Sequence, residues 1–153
     1  NTTSSYVDLC EFIQYSWEEL GFKVQVNVNP PSTHRQQVSN SQLSIFRGSW
    51  IADYADAENY LALFYSGNHS PNGPNYTHFS NNEFDDLYEK SLRIPELVNR
   101  IPLYEKMDSI VINQAAIIPL YYDNVLRFSH KRVRGLGSNA MNLLDLKRVK
   151  VIN

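Results

Sequence analysis

The stretch "FRGSWIADYADAENYLALFYSG", residues 46–67, decides how this chain is read. Apolar residues from Leu43 to Phe46 run into Gly48-Ser49, a break at which the backbone must leave a sheet. Trp50 and two acids, Asp53 and Asp56, follow at once. Asp56 sits where it can cap a helix carrying Tyr60, Leu61 and Phe64 on one face, and Glu58 then lies in that helix's first turn. Asp53 has no such local explanation. Ligands of open α/β sheets lie outside the carboxyl ends of strands, and that is where the pattern puts Asp53.

The flanks supply the layers. On the amino-terminal side, Ser4 or Ser5 can cap a helix whose Val7, Cys10, Ile13, Trp17 and Leu20 recur at spacings of three and four. Gly21 supplies its left-handed stop. In "FKVQVNV", Val24, Val26 and Val28 alternate as a half-buried strand. Pro30-Pro31 ends that strand, Ser32 caps a short helix through Val38, and a second strand covers about 43–48. Helix, strand, helix, strand favours a βαβ-type parallel sheet in a three-layer α/β unit.

On the carboxyl-terminal side, "SGNHSPNGPNYTHFSNN" reads as a long loop. Asn81 or Asn82 caps a helix with Phe84, Leu87, Tyr88 and Ser91 inward. Pro95 opens a further helix at its first turn. Leu97, Ile101, Tyr104, Ile110 and Val111 form its buried face, and Pro102 should kink or delay it. "AAIIPLYYD" and "VLRFSH" read as strands joined by a tight turn at Asp123-Asn124, and "DLKRVKVIN" closes with one more.

Composition bounds the function. At 153 residues, with 42% hydrophobic and 20% charged residues, the chain can bury a core without disulfides or metal. A net charge of -2 leaves no basic footprint for nucleic acid. No apolar run approaches the ~20 residues that span a bilayer. The opening at Asn1, without Met or a leader, suggests an excerpt or a processed product. Cys10 lies on an apolar stripe and reads as a buried structural thiol rather than a nucleophile. His34, His69, His78 and His130 lack the close spacings of a zinc site and read as surface or loop residues. No metal or cofactor is expected. Asn-X-Ser/Thr triplets begin at Asn1, Asn68 and Asn75 and matter only where the source glycosylates.

A hydrolase would pair two of Asp53, Asp56 and Glu58 across a substrate. Two of these acids are already explained by the helix start, and one carboxylate is not a catalytic pair, so no catalytic residue is assigned. Binding asks for less. One carboxylate in a partly dry cleft makes a charge-assisted hydrogen bond to an ammonium group. An indole gives it an apolar wall and a cation–π surface, and Arg47 can answer a negative group. The plainer alternative makes Trp50 core, Arg47 a solvated strand end and Asp53 a turn acid.

Here the residues resemble a family. "FRGSWIADYADAENYLALFYSG" is similar to the Gly-Trp-x-x-Asp-Tyr-x-Asp signature of the extracytoplasmic solute-binding proteins of family 5, the oligopeptide- and dipeptide-binding proteins of ABC importers. "FIQYSWEELGFKVQVN", "PNYTHFSNNEFDDLYEKS", "RIPLYEKMDSIVINQAAIIPLYY" and "KRVRGLGSNAMNLLDLKRVKV" resemble further family blocks, in the family's order. Ser49 stands where Gly is usual before the tryptophan, and Ala57 where Pro is usual after the second aspartate.

The resemblance implies a periplasmic-binding-protein-like (type II) α/β lobe, a mixed sheet flanked by helices. Residues 1–153 would be the C-terminal lobe of a two-lobed protein, with about 130–153 as the return segment toward the other lobe. It implies binding of short peptides for an ABC transporter permease, in the periplasm or cell envelope, with a lipid anchor as one form of attachment. It assigns Asp53 to the peptide α-ammonium, with Trp50, Arg47 and Tyr54 as the other ligand-binding residues. The same fold elsewhere takes oligosaccharides, nickel chelates or haem, and a ligand-sensing domain of a regulator is a further alternative. An isolated excerpt would expose partner-facing apolar surfaces and self-associate.

Overall fold

In the computed structural model, residues 4–139 and 141–152 are described, and they fall into two compact units. The capping role of Ser4 or Ser5 and the Asn1 triplet lie outside the described side chains.

The first unit holds residues 1–50 and 62–85. Helix α1 (Ser4–Glu18) follows the predicted stripe: Val7, Cys10, Ile13 and Trp17 are half-buried. Cys10 is therefore only partly covered, and Leu20 is 74% exposed because the helix has already ended. Gly21 takes φ +89°, its N–H bonds Glu18 O, and the Phe22 N–H reaches back to Trp17 O. These paired bonds are the Schellman stop that the glycine predicted.

The valines that follow do not form a strand. Val24 and Val26 are half-buried and Val28 is exposed, and Gln14 of α1 donates its side-chain amide to Val24 O at 2.9 Å. A side chain here does the work of a neighbouring strand. Helix α2 (Pro31–Ser39) starts one residue before the predicted Ser32 cap, because Pro31 occupies the first turn, where no N–H is needed. The 43–48 segment bends at Ser44–Ile45 and likewise pairs with no strand.

Residues 62–81 form a loop that, with the start of the helix at 82, surrounds a three-ring cluster. Phe64, Phe79 and Phe84 are buried, with centroids 5.6–6.4 Å apart and rings nearly perpendicular. Such edge-to-face pairs each add about 0.5–1.5 kcal/mol beyond area burial. A 3-10 turn (Ser66–Asn68) opens the loop, held by Asp85, which accepts from the Ser66 N–H and hydroxyl.

The second unit holds residues 51–61 and 86–153. Helix α3 (Glu58–Leu61) is a single turn: Leu61 is buried, but Tyr60 is 44% exposed, against the expected face. Helix α4 (Asn82–Leu92) runs from residues of the first unit into residues of the second. The Phe84 N–H bonds Asn81 Oδ1 at 2.9 Å, the expected cap, and Phe84, Tyr88 and Ser91 are the buried positions. Helix α5 (Leu97–Asn113) packs on α3. It begins after Pro95, with Glu96 at the cap, and continues through Pro102. Its buried face is Tyr104, Met107 and Val111; Leu97 and Ile101 are exposed. Those two precede or adjoin the proline.

Beyond α5 the predicted strands of 115–130 do not form: the chain turns at Ala115 with φ +51°, residues 117–130 belong to no strand, and the expected turn at Asp123-Asn124 is missing. The one ladder among the described residues joins β1 (Val133–Arg134) to β2 (Lys150–Val151), antiparallel, with Val133 opposite Val151. Gly135 ends β1 at φ +75°, and a Cβ there would strike Arg148 O, so the approach requires glycine. The expected βαβ sheet and three layers are thus not formed among the described residues. A strand needs a neighbour for its N–H and C=O groups, and these segments have none alongside.

Candidate functional site

The four predicted ligand-binding residues divide between the units. Arg47 and Trp50 belong to the first; Asp53 and Tyr54 belong to the second.

In the first unit, the Arg47 guanidinium carbon lies 3.7 Å from the centroid of the Tyr6 ring. That is the separation of a guanidinium stacked on an aromatic face. His34 donates from Nε2 to the backbone carbonyl of Arg47 at 3.0 Å. Arg47 is therefore held, not a loosely solvated strand end. Trp50 is half-buried.

In the second unit, three acids within six residues take three different environments. Asp53 is exposed; its backbone N–H donates to Asn59 Oδ1 at 3.1 Å, and the Asn59 amide returns a long contact of 3.5 Å to Asp53 Oδ2. Asn59 is buried, so it fixes the backbone from which the Asp53 carboxylate projects.

Asp56 does more than cap. Its Oδ1 accepts the Glu58 N–H at 3.0 Å and the Tyr104 hydroxyl at 3.1 Å, and its Oδ2 pairs with Arg100 at 2.9 Å. Arg100 Nη1 also donates to the Tyr104 hydroxyl at 2.9 Å, closing a triangle. Glu58, predicted as a first-turn acid, is buried and accepts from the hydroxyls of Tyr54 and Tyr88. The Tyr54 hydroxyl is thus committed to Glu58, while the residue as a whole stays 47% exposed.

These contacts set the titration. Burial works to raise the Asp56 carboxyl, but the Glu58 N–H, the Tyr104 hydroxyl and the Arg100 charge together hold it below its ordinary 3.8. Burial and the bond to Asp56 push Tyr104 up from 10.0 to about 12. The bond to Glu58, then burial, raises Tyr54. A depressed acid stabilises the fold above its ordinary value and loses that contribution as pH falls through the folded one. Both raised tyrosines stabilise below pH 10.0; Tyr104 loses its contribution as pH climbs toward 12, and Tyr54 loses its own as pH rises above 10.0. Urea unfolding of the parent and Asp56→Asn across pH should therefore show a stability gap that closes on acidification below 3.8. A gap that stays constant through that range would count against the Arg100–Asp56 pair as its source.

Two histidines read as loop residues are structural struts. His69 and His78 stack at 4.8 Å, with His69 Nε2 donating to Phe79 O at 3.1 Å. His78 Nε2 lies 2.8 Å from Ser41 Oγ and 3.0 Å from both Ser70 Oγ and Ser70 O. The carbonyl only accepts, so Nε2 carries the proton and offers the serines a donor, not a base. Among the described residues no group of three or more His, Cys, Asp or Glu is placed to hold a metal, and no helix is long and apolar enough to cross a membrane.

Sequence reasoning missed Tyr6, Asn59 and Arg100, and it read Tyr88 as an inward helix residue without its bond to Glu58. The Tyr54–Glu58 spacing of four is a local signal for one of these contacts. Arg100–Tyr104 has the same spacing and Asp53–Asn59 spans six residues, whereas Arg47–Tyr6, Tyr88–Glu58 and Arg100–Asp56 join residues distant in sequence.

Residues 1–72 match the profile of the family described as bacterial extracellular solute-binding proteins, family 5 Middle. The dipeptide-binding protein DppE of Bacillus subtilis (strain 168) is 30% identical over 101 residues, 66% of this chain and 18% of DppE. Heme-binding protein A of Haemophilus influenzae is 26% identical over 127 residues, 83% of this chain and 23% of that protein. The chain thus spans less than a quarter of the length of either relative. The unliganded open form of MppA, a periplasmic murein tripeptide binding protein, superposes with a TM-score of 0.69 at 20% identity, covering 76% of this chain and 22% of MppA. The fold is that of a periplasmic binding protein.

Proposed function

We propose, from the premise that the chain belongs to the bacterial extracellular solute-binding proteins of family 5, that it is part of a receptor capturing short peptides for an ABC import permease. Asp53 holds the peptide α-ammonium, Trp50 supplies an apolar wall, and Arg47 answers the carboxylate end. Tyr54 offers its ring rather than its hydroxyl, which Glu58 occupies. Residues 1–153 form the C-terminal lobe, with about 130–153 as the segment returning toward the other lobe. The receptor works outside the cytoplasm and releases its ligand unchanged.

One observation carries this reading. Of the three clustered acids, Asp56 and Glu58 are taken by Arg100, Tyr54, Tyr88 and Tyr104, whereas Asp53 keeps an exposed carboxylate on a buried amide base. An exposed anion on a held backbone suits an ammonium-bearing ligand. The likeness to a haem-binding relative supports a second reading, haem in the same fold. Haem brings carboxylates and no ammonium, so Asp53 would repel rather than attract it.

The test is to load the full-length protein with a peptide mixture and with haem, repurify it, and identify what it releases. Intact short peptides are expected in the mass spectra. Haem retained in place of peptide would select the second reading, and steady protein-dependent cleavage would overturn both.

A further inference from the structure

Arg47 is held from two sides by residues that the peptide reading does not use. Its guanidinium lies 3.7 Å above Tyr6 of α1, and its carbonyl takes the 3.0 Å bond from His34 of α2. We infer that Tyr6 and His34 are positioning residues that present Arg47 as a preset fork for a carboxylate, so that α1 sets the preference for ligands with a free C-terminal acid. The inference rests on the proposed role of Arg47 in peptide binding.

The geometry explains why stacking helps. A guanidinium carries its N–H groups around its edge, in the plane, while its faces are poorly hydrated. Stacking on Tyr6 spends a face and leaves the edge donors for a bidentate pair with a carboxylate. The other contact of the head, Nη1 to Ser49 Oγ, is 3.5 Å long and gives way readily. His34 fixes the backbone from which the side chain springs, so the arginine loses less conformational freedom when a ligand arrives. Both contacts are internal to the first unit.

Calorimetry on the full-length protein with trialanine and trialanine amide tests this. Both peptides carry the same α-ammonium, so their affinity ratio isolates the carboxylate end. The parent should prefer the acid, and Arg47→Met should bring the ratio close to one. Tyr6→Leu should shrink the ratio by about 3- to 30-fold, the worth of a cation–π contact. Amide binding should stay near the parent's. Tyr6→Phe, which keeps the ring face, should retain the ratio, and His34→Ala should reduce it. If Tyr6→Leu weakens acid and amide equally, Tyr6 is merely structural and the inference falls. If the parent binds both peptides without preference, Arg47 has no carboxylate to position. A parent that binds neither peptide overturns the peptide reading itself.

Discussion

Asn75→Ala is expected to destabilise the first unit by about 3–5 kcal/mol, read as a lowered urea midpoint. Asn75 has no exposed surface and makes four side-chain bonds. Its amide donates to Tyr65 O at 3.0 Å and Phe79 O at 2.9 Å, while its Oδ1 accepts from the Phe79 N–H at 3.2 Å and the Thr77 hydroxyl at 3.1 Å. It thus ties together both ends of the loop that carries the phenylalanine cluster. Truncation removes four buried bonds, worth about 0.5–1.5 kcal/mol each, although Tyr65 O keeps the Asn68 N–H at 3.0 Å and Phe79 O keeps His69 Nε2 at 3.1 Å. The Phe79 N–H keeps a weaker contact with Thr77 Oγ1 at 3.3 Å, which limits the loss. Asn75→Asp should fare no better at neutral pH, because it turns a charged acceptor toward the Tyr65 and Phe79 carbonyls. It should recover in part in acid, where a protonated carboxyl can donate again. Asn68→Ala is the comparison: half-buried, with its amide bonded to Ala62 O, it should cost about 1 kcal/mol. Equal losses at the two positions would show that Asn75 is no keystone.

The same residue marks what was legible in the sequence. Signals confined to one turn were readable: the Gly21 stop, the Asn81 cap and the inward spacing of Phe84, Tyr88 and Ser91 each depend on neighbours within a few positions. Asn75 was not. It lies in a run rich in asparagine, glycine and proline, which reads as a loop without saying that one amide in it is the loop's buried scaffold. The strands failed for a related reason. Alternation in 24–28 and apolar runs in 115–130 report that a segment suits a sheet, and the ladder itself depends on a partner that no local pattern names.

The site divides along the same line. Asp56 is a cap, as its position implied, but its ion pair with Arg100 and its bond to Tyr104 come from α5, far along the chain. Glu58 follows the helix start in sequence, yet burial under two tyrosine hydroxyls gives it a structural role that charge patterning could not assign. Once these two acids have their partners, Asp53 is the one left exposed, as reading the helix start had suggested.

Asp53→Asn should weaken binding of a free tripeptide to the full-length protein by roughly 30-fold to several thousand-fold, at ~1.4 kcal/mol per decade. The figure corresponds to about 2–5 kcal/mol for removing one partner of a desolvated charge pair, much of it from stranding the other charge. Asparagine keeps the shape, and the Asp53 N–H can still bond Asn59 Oδ1, so the loss reports charge rather than misfolding. Asp56→Asn should separate stability from affinity. Asparagine caps about as well as aspartate, but it forfeits the Arg100 charge pair, so the fold weakens while ligand affinity stays near the parent's. N-acetylation of the tripeptide removes the ammonium, so the acetylated form should bind the parent poorly and lose little more in Asp53→Asn. Calorimetry on the parent and both variants, with free and acetylated tripeptide, closes this cycle. A coupling near zero between the Asp53 substitution and acetylation would reduce Asp53 to a turn acid held by Asn59, and the ammonium would have to be sought at another carboxylate.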